Sequence, residues 1–408
     1  MNFVTKRLVR RTILCCVLAL VAHIGAAQTD DPMNFWNTPQ HGGNSFNESP
    51  PDEAYYKALR ATGATWVRLT FTKWKGTGRD FLIGDAGHYE GLSQPDLAVL
   101  LRSVKAAQAA GLKVVVVPLS LPGARWLQQN GDKTDDRLWT DKAYWKQAAA
   151  FWSDLAAALK GQPGIVGYNL LNEPTLETKL GIDSMNEAKV QSAWYAQAKG
   201  TAHDLPGFYA SVIAAIRAVD AKTPIMVDAG WFADPQGFSY WPAALPDART
   251  LYSVHMYAPY EATSAPNLHR VPPYRYPGFK SWFGPTQVVW DKSVLAKDLS
   301  GAFDWAKAHG VPNNRVVVGE FGCMRQWVDC GVYLNDVLDI LNEHRAHWAF
   351  YSFREDVWDG MDYELAPSVT TEHFYDLMKQ GDGAKLERSP HPLLDVIEQH
   401  MRRQRSER

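Results

Sequence analysis

The sequence predicts an α/β protein whose strands close into a (β/α)8 TIM barrel with long loops on the C-terminal face. Short runs rich in β-branched residues alternate with longer segments of helical periodicity, and this alternation favours a parallel sheet. Eight such runs can be counted, and the connections between them are uneven in length. The predicted strands cover residues 42–46, 65–71, 112–120, 165–171, 224–229, 251–257, 315–321 and 347–353.

Several of these runs are almost wholly apolar, which is typical of strands buried on both faces. The clearest is 114–117, four consecutive valines. Helices are predicted between the strands, where Pro95 suits a first helical turn and Gly111 and Gly310 suit helix ends. An open doubly wound sheet would need a glycine-rich phosphate loop after the first strand, and the sequence has none there. The predicted helices are 52–62, 95–110, 141–159, 206–219, 295–309 and 332–344.

The long connections all follow strands, whereas the segments that lead from helix to strand are short. In a barrel, this asymmetry places the elaborate loops at the carboxyl ends of the strands, where sites are built. We therefore expect the functional residues at this end. The long connections are 72–94, 121–140, 174–205 and 258–293.

The first residues have the pattern of an export signal. Basic residues precede an apolar run at 12–22, and Gly25-Ala26-Ala27 offers small residues for cleavage. The alternative is a membrane anchor, but the run is shorter than the roughly 20 apolar residues that a span needs. We predict a signal peptide at 1–27, a single catalytic domain at 28–408, and a secreted or periplasmic protein with no membrane contact after cleavage.

Composition limits the partners. The chain has 408 residues, of which 46% are hydrophobic and 21% charged, as in an ordinary globular protein. Loss of the signal peptide removes four basic residues and takes the formal charge from -2 to about -6, which favours neither nucleic acid nor anionic membranes as partners. The oligomeric state stays open.

Two cysteines, Cys323 and Cys330, remain after the signal peptide. In an exported protein they could form a disulfide just beyond the seventh strand, or they could both stay reduced. Two cysteines without clustered histidines do not make a metal site, so we predict no metal.

Two predicted strands end in a glutamate. Strand four runs into Asn172-Glu173-Pro174, and strand seven runs into Gly319-Glu320-Phe321. An ionisable group where an apolar run meets a loop needs a partner or a function. The structural alternative is that Glu173 caps a helix and that Glu320 anchors a buried ion pair.

In these stretches the chain resembles glycoside hydrolase family 5, of the larger clan A of retaining (β/α)8 enzymes. The resemblance covers nearly the whole mature chain, from His41-Gly42-Gly43-Asn44 to the end of the eighth predicted strand. Each matching stretch is weak alone, but together they follow the expected order of strands. They are Ala64-Thr65-Trp66-Val67-Arg68-Leu69, Leu171-Asn172-Glu173-Pro174, His255-Met256-Tyr257 and Gly319-Glu320-Phe321-Gly322.

The resemblance implies roles for individual residues. Glu173 is expected to be the acid/base and Glu320 the nucleophile, while Asn172 is expected to bind the sugar 2-hydroxyl. His255 and Tyr257 are expected to line the subsite of the cleaved sugar, and Arg68 to lie beneath Glu320. Arg68 could instead only hold the barrel together, and His255 could be a core histidine.

The chemistry of retaining glycosidases agrees with this division. It needs one ionised and one protonated carboxyl group about 5–5.5 Å apart. A nearby arginine and a hydroxyl donor keep the nucleophile ionised, whereas an apolar setting and a neighbouring negative charge raise the pKa of the acid. No cofactor is required.

The sequence also departs from the family. Strand three ends in Val117-Pro118-Leu119-Ser120, without the histidine pair that many members have, and Tyr351 stands where many carry a tryptophan. Seven tryptophans in the predicted loops could stack on sugars, Trp358 among them, or could simply pack the loops. They are Trp74, Trp126, Trp139, Trp231, Trp282, Trp290 and Trp358.

After strand eight come four charged residues that could read hydroxyls or form salt bridges within the loop. They are Arg354, Glu355, Asp356 and Asp359.

The resemblance and the two glutamates predict a retaining endo-β-glycanase that cleaves a β-linked glucan or mannan polysaccharide or oligosaccharide. Long loops could make the enzyme exo-acting, and capture of the intermediate by a sugar would give transglycosylation. The alternative from another class is a non-catalytic carbohydrate-binding barrel, which would keep the aromatic loops but lose a carboxylate.

Overall fold

The computed structural model of the protein describes residues 31–177, 188–284 and 286–406. The predicted signal peptide at 1–27 lies outside these residues. Eight parallel strands close into a barrel, which confirms the predicted fold. They are β1 (His41–Ser45), β2 (Trp66–Thr70), β3 (Lys113–Val117), β4 (Ile165–Asn169), β5 (Ile225–Asp228), β6 (Thr250–Met256), β7 (Val316–Phe321) and β8 (His347–Phe350).

Each strand pairs with the next along the chain, and β8 returns to pair with β1, where His41 lies opposite Trp348. The strand positions follow the predicted runs within three residues at every end. β3 ends at Val117 rather than 120, because Pro118 has no N–H to donate to the ladder.

The inside of the barrel has an apolar floor. Side chains from seven strands meet there, and residues two apart on a strand face the same side, so the next layer above belongs to residues such as Arg68 and Asp228. A short 3-10 helix, Pro32–Asn37, covers the floor from below, and its Trp36 Nε1 donates to the Val166 carbonyl at 2.8 Å. The floor comprises Trp66, Val115, Val166, Met226, Leu251, Val317 and Ala349.

The helices surround the strands, and the six predicted helices are all present. Asp52 accepts from the Tyr55 N–H at the start of the first, and Pro95 lies in the first turn of the second. The described helices are Glu53–Ala61, Gln94–Ala109, Arg137–Thr140, Lys142–Leu159, Ala188–Ala198, Leu205–Arg217, Gly230–Ala233, Tyr260–Thr263, Lys292–Ala308, Cys330–Glu343, Thr371–Lys379 and Pro392–Ser406. None of these described helices is long and apolar enough to span a membrane.

The connection from β5 to β6 departs from the regular alternation. The segment Gly230–Ala233 is one turn, and Trp231, Phe232 and Ala233 have φ of 57°, 58° and 59°, in the left-handed region. Glu177 holds this turn by accepting from the Trp231 N–H at 3.2 Å. Gly230 is required there, because a Cβ would lie 2.0 Å from Glu177 Oε1.

Two features lie in or beside the long loops. A β-hairpin, Lys280–Phe283 with Thr286–Val289, projects from the connection after β6, and no strand was predicted there. Beyond β7, Cys323 and Cys330 form a disulfide, so the open question about these two residues is answered for the folded protein.

Candidate active site

The polar layer above the apolar floor centres on Arg68 of β2. Its side chain is fully buried, and its guanidinium reaches groups on β1, β4, β5 and β7. Nη1 lies 2.6 Å from Glu320 Oε1, and Nη2 lies 3.2 Å from Asp228 Oδ2. A buried cation needs such partners, and Arg68 therefore links four strands through one planar group.

The remaining donors of Arg68 go to amide oxygens. Nε donates to Asn169 Oδ1 at 2.8 Å, Nη2 to Asn172 Oδ1 at 2.8 Å, and Nη1 to Asn44 Oδ1 at 3.3 Å. Asn44 in turn donates to the Gly319 carbonyl at 2.9 Å, one residue before Glu320. The network fixes the orientation of each amide, because the oxygen must face the guanidinium and the NH2 group must point away from it.

Glu320 lies near the end of β7 and is 3% exposed. Arg68 occupies one carboxylate oxygen, and the Tyr257 hydroxyl donates to the other at 2.8 Å. Burial raises the pKa of Glu320 above its ordinary value, and both of these contacts oppose the rise because they stabilise the carboxylate. Arg68 and Tyr257 thus stabilise the ionised form of Glu320 against the effect of burial.

Glu173 follows β4 and has φ of 47°, a left-handed conformation that is uncommon for a glutamate. Its N–H donates to Asp228 Oδ2 at 3.2 Å, which helps to hold this backbone. Burial, and then the negative charge of Asp228, raises the pKa of Glu173 to about 8, against the opposing charge of Arg68. Glu173 is therefore protonated at neutral pH.

His255 of β6 connects the two glutamates. Its Nδ1 lies 2.8 Å from Glu173 Oε1 and 3.7 Å from Glu320 Oε2, while its Nε2 lies 3.6 Å from Asp228 Oδ2. Burial lowers the pKa of His255, so the ring is neutral. With a protonated Glu173, the consistent arrangement has Glu173 donating to Nδ1 and the Nε2 hydrogen facing Asp228.

The two glutamates face one space. One oxygen of each, together with a nitrogen of His255, lies within 4.8 Å of the others. A similar triad of ligands could surround a metal ion, but the Arg68 guanidinium at 2.6 Å from Glu320 repels a cation at this place. The arrangement suits acid–base and nucleophilic chemistry by a protonated and an ionised carboxyl group.

These residues open into a cavity of about 810 Å³ at the carboxyl ends of the strands. The structure brings seven of the eight sequence-predicted site residues to the cavity wall, and the eighth, Arg68, lies buried behind Glu320. Those on the wall are Asn172, Glu173, His255, Tyr257, Glu320, Tyr351 and Trp358.

Tyr351 directly follows β8, and its hydroxyl donates to Glu355 Oε2 at 2.9 Å. Glu355 is 4% exposed and pairs with Lys73 Nζ at 3.1 Å; both line the cavity. Trp358 lies beside Tyr351, with ring centroids 6.1 Å apart. Its indole passes so close to Gly360 that a Cβ there would lie 2.2 Å from it.

The other charged residues after β8 hold the loop. Arg354 pairs with Glu364 at 2.5 Å, and Asp359 pairs with Arg325 at 2.5 Å. Asp356 accepts from two backbone N–H groups of the loop after β1. Of the four, only Glu355 lines the cavity.

The loop tryptophans also fall into two main groups, those that line the cavity and those that pack the loops. Trp126, Trp231 and Trp358 line the cavity, whereas Trp74, Trp139 and Trp290 are buried in the packing beneath the loops. Trp282 lies on the hairpin with 61% exposure.

Sequence reasoning missed several residues of the site. Asp228 ends a predicted apolar strand, as Glu173 and Glu320 do, and that signal was available. Lys73 gave no comparable signal, because its partner Glu355 is 282 residues away. Phe232 was also missed; it lines the cavity with 54% exposure.

The model of the cellulase family (glycosyl hydrolase family 5) matches residues 26–356, most of the chain. The endoglucanase Cel5A of Thermotoga maritima has 15% identity and a TM-score of 0.61 over 90% of this chain and 99% of that chain. The endoglucanase Cel5A of Pseudomonas stutzeri has 16% identity and a TM-score of 0.58 over 89% and 93%. A search of curated proteins gave no match.

A third solved structure is T. maritima Cel5A in complex with mannotriose. It has 16% identity to this chain and a TM-score of 0.57 over 86% of this chain and 99% of that chain. At these identities the structural likenesses establish the fold.

Proposed function

This chain belongs to the cellulase family, glycosyl hydrolase family 5, and is a glycoside hydrolase; we propose that it is an exported, retaining endo-β-glycanase. Its substrate is a β-linked glucan or mannan. The proposal assigns Glu320 as nucleophile and Glu173 as acid/base.

The observation that carries the proposal is the contrast between the two carboxyl groups. Glu320 accepts from Arg68 and Tyr257, both of which stabilise the anion. Glu173 has its pKa raised to about 8 by burial and by Asp228, so it holds a proton. One oxygen of each glutamate lies within 4.8 Å of an oxygen of the other, and this closeness supports direct attack by one group rather than by an intervening water.

In the first step, Glu320 attacks the anomeric carbon and forms a glycosyl ester as the bond to the leaving oxygen breaks. Glu173 gives its proton to that oxygen, so the departing sugar leaves as a neutral alcohol. The loss of charge on Glu320 weakens its bond to Arg68, which keeps its second ion pair to Asp228. Arg68 thus remains partnered throughout.

In the second step, Glu173, now ionised, takes a proton from water, and the oxygen of that water attacks the anomeric carbon. Glu320 departs as a carboxylate, and the product keeps the original anomeric configuration. His255 holds Glu173 in place through Nδ1 in both protonation states, because a neutral imidazole can accept from the acid or, in its other tautomer, donate to the carboxylate.

The predicted binding residues have groups free for a sugar. Asn172 uses Oδ1 for Arg68, which leaves its Nδ2 for the 2-hydroxyl beside Glu320. Tyr351 and Trp358 present aromatic surface to the same cavity, and such rings suit the apolar faces of pyranoses. Together they bind the sugar whose bond is cleaved.

Family membership and the similar solved structures both support this substrate class. The similar solved structures include endoglucanases and one with bound mannotriose. Cleavage should be measured against a panel of β-glucans and β-mannans, with reducing ends counted. If no member of the panel releases sugars, the proposed substrate class is overturned.

The catalytic assignment is tested by Glu320→Ala and Glu173→Gln, each of which should remove nearly all polysaccharide cleavage. Glu364→Gln is the matched control, since this glutamate also lies in an ion pair but outside the cavity wall. Circular dichroism should show that all three variants stay folded. Wild-type turnover in either active-site variant contradicts the assignment.

The double displacement is tested separately by NMR. The first product observed during cleavage should have the β configuration of the substrate, before mutarotation. Initial formation of the α anomer would mean that water attacks directly and that Glu320 is not the nucleophile.

A further inference from the structure

The hairpin Lys280–Phe283 with Thr286–Val289 has an exposed outer face that the catalytic proposal does not use. We propose that this face binds a segment of the polysaccharide chain beyond the units that fill the cavity. The inference rests on the proposed polysaccharide substrate and adds a second binding site for it.

The outer face is defined by the strand register. Trp282 pairs with Gln287, and Lys280 pairs with Val289, and all four side chains are exposed. Residues opposite each other in an antiparallel pair share a face. The indole of Trp282, with 61% of its surface exposed, therefore lies beside an amide and an ammonium group.

The inner face anchors the hairpin to the protein. Phe283 packs edge-on against the buried Trp290, with ring centroids 6.0 Å apart, and Lys297 lies over the Phe283 ring at 5.0 Å. The base is closed by backbone bonds between Phe279 and Trp290 and between Gly278 and Trp290. A platform held in this way loses little conformational entropy when it binds a ligand.

The hairpin is attached beside the rim of the cavity. Phe232 and Tyr260 line the cavity from the loops after β5 and β6, with 54% and 66% exposure. Glu261, next to Tyr260, accepts from the Ser281 hydroxyl at 3.1 Å, and Ser281 adjoins Trp282. This bond from the inner face holds the hairpin next to the loop that carries the exposed Tyr260, so a chain leaving the cavity on this side has the hairpin close by.

A glycan fits this face better than a protein does. Two strands of four residues cover about 14 Å by about 10 Å, far less than the roughly 800 Å² per partner of a stable protein interface. A single ring flanked by hydrogen-bonding groups matches a sugar, which has an apolar face and hydroxyls at its edge.

The experiment measures polysaccharide affinity in the Glu320→Gln background, so that the ligand is not degraded. Native gels containing mixed-linkage β-glucan or β-mannan give a dissociation constant from the retarded migration. Trp282→Ala should weaken binding about 3-fold to 10-fold, the range expected for loss of one aromatic contact. Trp282→Phe should recover part of the affinity.

Tyr375→Ala is the matched control, because Tyr375 is an exposed aromatic (44%) on a helix beyond β8. It should migrate like its parent. Equal retardation of the Trp282→Ala and Tyr375→Ala proteins overturns the proposal, as does an absence of retardation of the parent in both gels. A change of oligomeric state in Trp282→Ala, seen by light scattering, would assign the face to a second copy of the chain instead.

Kinetics in the active enzyme separate this proposal from the catalytic one. Trp282→Ala should lower the ratio of kcat/KM on the polymer to kcat/KM on an aryl β-disaccharide by the same factor as the loss in affinity. An unchanged ratio rejects the outlying site while leaving the proposed function intact. Loss of all cleavage by the unaltered protein would instead reject the proposed function.

Discussion

Replacement of Arg68 by methionine tests whether one buried cation holds the polar layer together. The guanidinium is fully buried and makes two ion pairs, at 2.6 Å to Glu320 and 3.2 Å to Asp228. Removal of one partner of a buried ion pair costs about 3–5 kcal/mol, since the other charge stays buried. We expect Arg68→Met to lower the free energy of unfolding by about 4 kcal/mol at pH 7.

The same reasoning predicts a partial rescue. In Arg68→Met/Glu320→Gln the carboxylate that lost its partner is also gone, so the double variant should regain about 2 kcal/mol of the loss. The destabilisation of the single variant should also shrink as the pH falls, because the pKa of Glu320 rises without Arg68 and protonation then removes the uncompensated charge.

Urea unfolding of the wild type, both single variants and the double variant gives the coupling free energy. Strictly additive losses would refute the reasoning, because they would mean that Arg68 and Glu320 do not interact in the folded state. A destabilisation that is the same at pH 5 and pH 8 would refute the electrostatic part.

Two further predictions follow from other parts of the molecule. The pKa of Glu173, raised to about 8, means that the folded protein holds a proton there that the unfolded chain releases near pH 4.5. The free energy of unfolding of the wild type should therefore fall relative to that of Glu173→Gln as the pH rises from 5 to 8. The kcat/KM of the wild type should fall as the pH passes about 8. Parallel curves of unfolding free energy against pH for the two proteins would contradict this prediction. Trp36→Ala should lower the free energy of unfolding by about 3–5 kcal/mol, because it empties a fully buried site beneath the barrel floor. Its kcat should be unaltered, and a lowered kcat in fully folded protein would contradict the separation of floor and site.

The barrel could be predicted from the sequence because each strand has a recognisable local sequence pattern. The valines of β3 and β7 form short apolar runs that are typical of doubly buried strands, and helices between them such as Lys142–Leu159 and Lys292–Ala308 begin at a capping aspartate. The family prediction is confirmed by the match of the cellulase-family model to residues 26–356.

The two glutamates proposed as catalytic could be found for a related reason: a charge at the end of an apolar run stands out. The pairing of Lys73 with Glu355 could not, because it depends on two loops that meet only when the barrel closes β1 against β8. The left-handed turn at Trp231 was equally hidden, since nothing local favours that conformation over an ordinary helix start.

The hairpin after β6 was missed because its strands are four residues long and mostly exposed. Alternation over so few residues gives little periodic signal, and Gly284 with the following proline is typical of any loop. Its existence depends on the packing of Phe283 against Trp290, a contact between residues that the sequence does not mark as neighbours.

Trp36 and the apolar floor close the lower end of the barrel in the described part of the chain. The cavity with the two glutamates opens at the carboxyl ends of the strands, where substrate is expected to enter and products to leave. In the proposed two-step mechanism, the hydrolytic water shares this opening with the departing first product. Slow release of that product is therefore expected to delay hydrolysis of the glycosyl ester.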